Sequence, residues 1–140
     1  MKISTKGRYA LKMMIDLASN QADTPIPLKD IAQRQGVSLK YLEQITSVLT
    51  KAGYVRSIRG SSGGYQLRKK PQEYTVGMIL RLTEGSLAPV SCVEESETEC
   101  QHIGSCVTVE IWKKINDAVN GVVDKITLQD LVEWQKRKEG

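Results

Sequence analysis

The stretch PIPLKDIAQRQGVSLKYLEQITSVLTKAG, residues 25–53, leaves the chain few ways to fold. Pro25 and Pro27 each lack an N–H and crowd the turn before them, so an extended connection has to precede Leu28. From there Leu28, Ile31 and Ala32 recur at spacings of three and four over LKDIAQRQ, which predicts a short helix with one apolar face. Gly36 supplies a backbone free to turn sharply. Ser38 stands where a hydroxyl caps a second helix, and Leu42, Ile45, Leu49 and Ala52 run down one side of it until Gly53. Two amphipathic helices joined by a short glycine-containing turn make a helix-turn-helix.

Function is carried by the other side of that second helix. Lys40, Tyr41, Glu43, Gln44 and Ser47 point away from the apolar stripe, and they include donors and acceptors able to address base edges in a major groove. Next comes YVRSIRGSSGGYQLRKK, residues 54–70, in which two β-rich pieces flank RGSSGG. This predicts a hairpin with a glycine-rich tip, made basic by Arg56, Arg59, Arg68, Lys69 and Lys70. A nucleotide-cradling loop would need a strand before it, a helix after it and a Lys-Ser/Thr pair or G-x-G-x-x-G spacing, none of which is present. Directly behind a helix-turn-helix, the hairpin reads as a wing. Charge agrees: residues 1–70 hold 13 Lys/Arg against 4 Asp/Glu, whereas residues 71–140 hold 7 against 12. A basic half of this kind attracts polyanions by displacing their condensed counterions.

Around this centre the periodicity predicts a helix over Thr5–Ser19 that buries Tyr9, Ala10, Met13, Met14 and Leu17, and another between a Thr75 cap and Gly85. From Val107 a longer pattern places Val107, Ile111, Ile115, Ala118 and Val122 in one stripe, widened by Trp112, Val119 and Val123. That stripe is broader than one small domain covers, and it predicts a pairing surface for a second copy. Thr127 and Asp130 have capping-box spacing at the start of a last helix, whose Leu128, Leu131, Val132 and Trp134 can pack back. The expected class is therefore mainly α. Residues 1–84 form a winged helix-turn-helix domain with a recognition helix at about 38–52 and a wing at about 54–68. Residues 85–106 form a cysteine loop, and residues 107–140 a long dimerisation helix and a C-terminal helix.

The cysteine loop holds all three cysteines, Cys92, Cys100 and Cys106, with the single histidine, His102, and the acidic Glu94, Glu95, Glu97 and Glu99. An odd count gathered into fifteen residues suits a metal or redox role better than a disulfide-stapled secreted fold. The spacing C-x7-C-x5-C matches neither paired zinc knuckles nor a ferredoxin run. Iron-sulfur, zinc and redox-active or inert thiols therefore all stay open on the residues alone. No apolar run approaches the ~20 residues that span a bilayer, so a cytoplasmic protein without membrane contact is expected. One histidine, no nucleophile elbow and no paired metal carboxylates leave enzyme chemistry little to work with, and no catalytic residue is assigned.

MKISTKGRYALKMMIDLA, LKDIAQRQGVSLKYLEQI, SIRGSSGGYQL and cysteines just before a helix carrying IW together resemble the IscR, NsrR and CymR family of bacterial winged-helix transcription regulators, over essentially the whole chain. The resemblance implies homodimers that bind near-palindromic double-stranded DNA, with the recognition helix in the major groove and the wing at the adjacent minor groove. The implied DNA-contacting positions are Ser38, Lys40, Tyr41, Glu43 and Gln44, with Arg59, Gly60 and Ser61 in the wing. Lys40 stands where the family commonly has a small polar residue. Within that family the chain resembles the iron-sulfur-sensing IscR branch, because the thiol-metabolism branch typically lacks the cysteines. It implies a 2Fe-2S cluster on Cys92, Cys100 and Cys106, a role in regulating iron-sulfur cluster biogenesis, and repressor-type control. A zinc- or thiol-controlled repressor of the same fold is the alternative, with an iron-sulfur electron carrier behind it. The branch's usual fourth ligand, a histidine, is replaced here by Val109, and the N-terminal carboxylate of other cluster-binding members by Arg8. His102 is the nearest remaining nitrogen donor in sequence, with Glu110 and Glu43 as oxygen alternatives.

Overall fold

The computed structural model describes residues 2–20, 24–94 and 106–140. Among the described residues six α-helices and one hairpin follow one another as α1 (Thr5–Ser19), α2 (Leu28–Gln35), α3 (Leu39–Lys51), β1 (Val55–Ile58), β2 (Gly64–Leu67), α4 (Val76–Glu84), α5 (Val109–Val123) and α6 (Leu128–Glu139). The caps explain the boundaries. Ser4 accepts from the Gly7 N–H, Ser38 from Tyr41, Thr75 from Met78 and Thr127 from Asp130, each satisfying a donor that the first turn leaves over. Gly36, with φ 67°, ends α2 in the left-handed region and lets α3 leave at an angle.

One core joins α1, α2, α3, α4, β1 and α6. Ala10, Met13, Met14, Leu17, Ile31, Leu42, Ile45, Leu49, Val55, Ile79, Leu128 and Val132 are all buried in it. Tyr74 is buried too, and its hydroxyl donates to the Tyr54 carbonyl at 2.7 Å and accepts from the Lys69 N–H at 3.1 Å. Burial raises the Tyr74 pKa above its ordinary value. The last helix is tied in by main-chain bonds from Val76 to Ile126 and from Leu128 to Tyr74, each 2.9 Å.

The hairpin is antiparallel, with Val55 opposite Leu67 and Ile58 opposite Gly64. Ile26, in the connection between α1 and α2, adds a bridge on its other edge through two main-chain bonds with Tyr65, of 3.0 and 2.8 Å. A Cβ on Gly64 would lie 2.3 Å from the Ile26 main chain, so this close strand approach requires glycine.

Several expectations need correction. Ala52 is exposed, because α3 ends at Lys51 and Ala52 already belongs to the cap. Tyr41 does not point freely outward; it is half-buried, and its ring stands edge-on to Tyr9 with centroids 6.1 Å apart. Trp134 is 42% exposed, since Leu128 and Val132 take the inward positions of α6. Val107 precedes α5, which starts at Val109.

Candidate nucleic-acid interface and cysteine loop

Helix α3 presents Ser38, Lys40, Glu43, Gln44 and Ser47 to solvent. Lys40, Glu43 and Gln44 make no side-chain hydrogen bond or ion pair among the described residues, so their polar ends remain available to a partner. Exposed Leu39 adds an apolar group to the first turn that periodicity does not flag. At the hairpin tip Arg59, Gly60 and Ser61 are exposed, and the Gly63 N–H closes the turn on the Gly60 carbonyl at 3.0 Å. The two elements follow directly in the chain, and Tyr54 to Val55 carries α3 into β1.

A polar link that the sequence does not announce ties the first helix of the helix-turn-helix to α1. Asp16 on α1 is only 7% exposed and receives Arg34 of α2 through two bonds, Nη2 at 2.6 Å and Nε at 2.9 Å. Gln35 and Asn20 donate to the same carboxylate at 3.3 and 3.4 Å. A buried carboxylate is tolerable only when its lone pairs are engaged, and this fork engages them.

The outer side of α5 differs in chemistry. Ile111 is 50% exposed, Val122 56%, and the exposed Ile115 and Ala118 lie between them. Trp112, Asn116, Val119, Asn120 and Val123 are half-buried on the opposite side. There Arg81 of α4 reaches Asn120 at 2.7 Å and Asp124 at 3.0 Å.

Two of the three cysteines flank α5 and its approach. Cys92 sits in a 3-10 turn, Ser91–Val93, and Cys106 lies two residues before the Thr108 cap of α5, both half-buried. The Cys106 pKa is lowered, first by the Thr108 hydroxyl, 3.1 Å from its sulfur, and then by the Val109 main-chain N–H, against an opposing effect of burial, with a lesser contribution from the Thr108 N–H. Cys100 and His102 lie outside the described residues, as do Glu95, Glu97 and Glu99. Val109 is buried and has no donor atom to offer, while Arg8 is exposed and bonded to the Thr5 hydroxyl at 3.2 Å. Glu110 lies 3.8 Å from Lys113, and Glu43 is on the exposed face of α3.

A helix-turn-helix, a basic hairpin wing and a further helix with an apolar outer face define the winged-helix class of DNA-binding regulators. Residues 3–134 match the Rrf2 family, described as an iron-dependent transcriptional regulator, and the chain belongs to that family. It is 46% identical over 134 residues to the HTH-type transcriptional regulator CymR of Bacillus subtilis (strain 168), covering 96% of this chain and 91% of that protein. Among solved structures, "The Structure of CymR (YrzC) the Global Cysteine Regulator of B. subtilis" aligns with a TM-score of 0.81 at 45% identity, over 96% of this chain and 98% of that one. The T. potens IscR structure aligns with a TM-score of 0.80 at 38% identity, over the whole of this chain and 92% of that one. The likeness thus runs to CymR and to IscR alike. No described helix is long and apolar enough to cross a membrane.

Proposed function

We propose that this Rrf2-family transcription regulator is a homodimer that binds near-palindromic duplex DNA and adjusts its grip through the cysteine loop. Ser38, Lys40, Glu43 and Gln44 would address the major groove, Tyr41 would hold the start of α3 against α1, and Arg59, Gly60 and Ser61 would enter the neighbouring minor groove. Ile111, Ile115 and Val122 would close against the partner. Cys92, Cys100 and Cys106 would hold a 2Fe-2S cluster, with His102 as the candidate fourth ligand, and control of iron-sulfur cluster biogenesis would follow. The observation that carries this reading is the thiol set before α5, where the Thr108 hydroxyl stands 3.1 Å from the Cys106 sulfur and lowers its pKa. Thiolate sulfur suits iron-sulfur clusters and zinc equally in softness. When bound, a cluster supplies a centre that responds to iron supply and oxidants by being lost or changing charge.

A second reading is direct thiol control, or zinc in place of iron, in the manner of a cysteine regulator. The same stabilised Cys106 thiolate favours it, as does the replacement of the branch's usual histidine by buried Val109. Anaerobic purification separates the two. Visible absorption with near-equal iron and sulfide supports the cluster; colourless protein with stoichiometric zinc, or with no metal and DNA binding that responds to oxidants, supports the second reading. Equal affinity for every duplex before and after replacement of all three cysteines overturns both.

A further inference from the structure

We propose that Glu84 is the positioning residue through which the cysteine loop acts on the first turns of α1, where Tyr9 packs against Tyr41 of α3, an inference that rests on the reading above. Glu84 is the last residue of α4, and the chain passes from it through Gly85 into the segment that leads to Cys92. Its Oε1 accepts from both the main-chain N–H and the hydroxyl of Ser4, each at 2.7 Å. Ser4 is the cap of α1. A hydroxyl has one hydrogen, and giving it to Glu84 leaves a lone pair aimed at the Gly7 N–H, which donates to it at 3.0 Å. Glu84 therefore fixes the cap rather than merely touching it.

Space has been cleared for this contact. A Cβ at Gly7 would lie 2.5 Å from the Glu84 carboxylate oxygen, so any larger residue displaces it. Residues 86–89 share a shallow cleft with Lys2, Ile3 and Glu84, which places the loop's first residues against the N-terminal arm. On its other flank the last turn of α4 is held to α5 by Arg81, and α5 begins just after Cys106. At the far end of the path, one turn into α1, Tyr9 meets Tyr41 of α3 edge-on, and the Lys12 ammonium lies 4.9 Å over the Tyr9 ring. Residues 86–89, Glu84, the α1 cap, the first turn of α1 and the first turn of the recognition helix thus lie in succession. A loop state that displaces residues 85–89 and carries Glu84 with it breaks two short hydrogen bonds and so loosens the α1 cap.

The test uses the full chain, prepared anaerobically, reconstituted with ferrous iron and sulfide, and compared with the same preparation stripped by a chelator with its thiols kept reduced. Affinity for a selected palindromic duplex is measured in both states, and amide exchange at Gly7 and Arg8 is followed without DNA. In the wild type the two states should differ at least ~5-fold in affinity, and exchange at Gly7 and Arg8 should differ with them. Glu84→Ala should bring the ratio to within about twofold of one and make exchange at Gly7 equally fast in both states, because the bonds that couple them are gone. Glu84→Gln, whose Oε1 still accepts from Ser4, should retain the wild-type ratio. Gly7→Ala should lose the ratio as Glu84→Ala does, and it serves where Glu84→Ala does not fold. A wild-type ratio that survives in Glu84→Ala or Gly7→Ala overturns this inference alone. A wild-type ratio of one overturns the cysteine-loop reading and this inference with it.

Discussion

Helices α3 and α5 are both amphipathic, similar in length and mounted on the same small body, yet they treat their outer faces in opposite ways. Helix α3 buries Leu42, Ile45, Thr46 and Leu49 and turns Lys40, Glu43 and Gln44 to water. Helix α5 buries only Val109 and turns Ile111, Ile115 and Val122 outward. Polar groups without partners are at no cost in water and gain most against a hydrogen-bonding polymer edge. A row of exposed aliphatic side chains gains most against another apolar surface. The outer face of α3 thus suits nucleic acid, and that of α5 suits a second apolar surface.

The largest test of that contrast is the pair Ile111→Glu with Ile115→Glu. Placing carboxylates in the apolar face should weaken self-association by roughly a thousandfold, about 4 kcal/mol, measured by analytical ultracentrifugation, and operator binding should fall with it. Next comes stability. Ile45→Ala should cost about 2–5 kcal/mol in denaturant unfolding, whereas Ile111→Ala should stay within ~0.5 kcal/mol for the dilute monomer, as expected of an exposed site. Equal losses at the two positions would erase the distinction between the faces.

A smaller effect sharpens the α3 side. Glu43 can accept from cytosine N4 but repels acceptor edges, so Glu43→Ala should narrow the difference between preferred and disfavoured operators by about 1–3 kcal/mol. Uniform weakening on all sequences would show Glu43 to be a general contact instead. The smallest concerns Cys106 in metal-free protein. Its donors favour the thiolate, so its deprotonation, and with it alkylation by iodoacetamide, should rise at a pH below that of an ordinary thiol. Thr108→Val removes the first of those donors and should move the profile upward. An unchanged profile would separate the hydroxyl from the thiol's chemistry.

Local signals account for what the sequence reveals. The bounds of α1 and α2, the caps at Ser38, Thr75 and Thr127 and the glycine-tipped hairpin all follow from residues within one turn of each other. Misplaced residues sit at margins: Ala52 beyond the end of α3, and Trp134 on a helix whose inward positions were already filled. Tyr41 was drawn inward by Tyr9, thirty-two positions away, and no periodicity within α3 carries that information. The same holds for Asp16 with Arg34 and for Ser4 with Glu84, polar pairs whose partners are set by the folded topology. Of the candidate site, the exposed faces of α3 and the wing were legible in outline. The thiolate-stabilising role of Thr108 was not, because it depends on how the chain turns into α5.

Leu128 and Val132 complete a core whose other members come mostly from the first eighty residues. A growing polypeptide therefore cannot complete the core beneath its helix-turn-helix until α5 and α6 have both been synthesised. Closure of the N-terminal core is in this way deferred to the end of translation, and a chain interrupted before α6 leaves that core open.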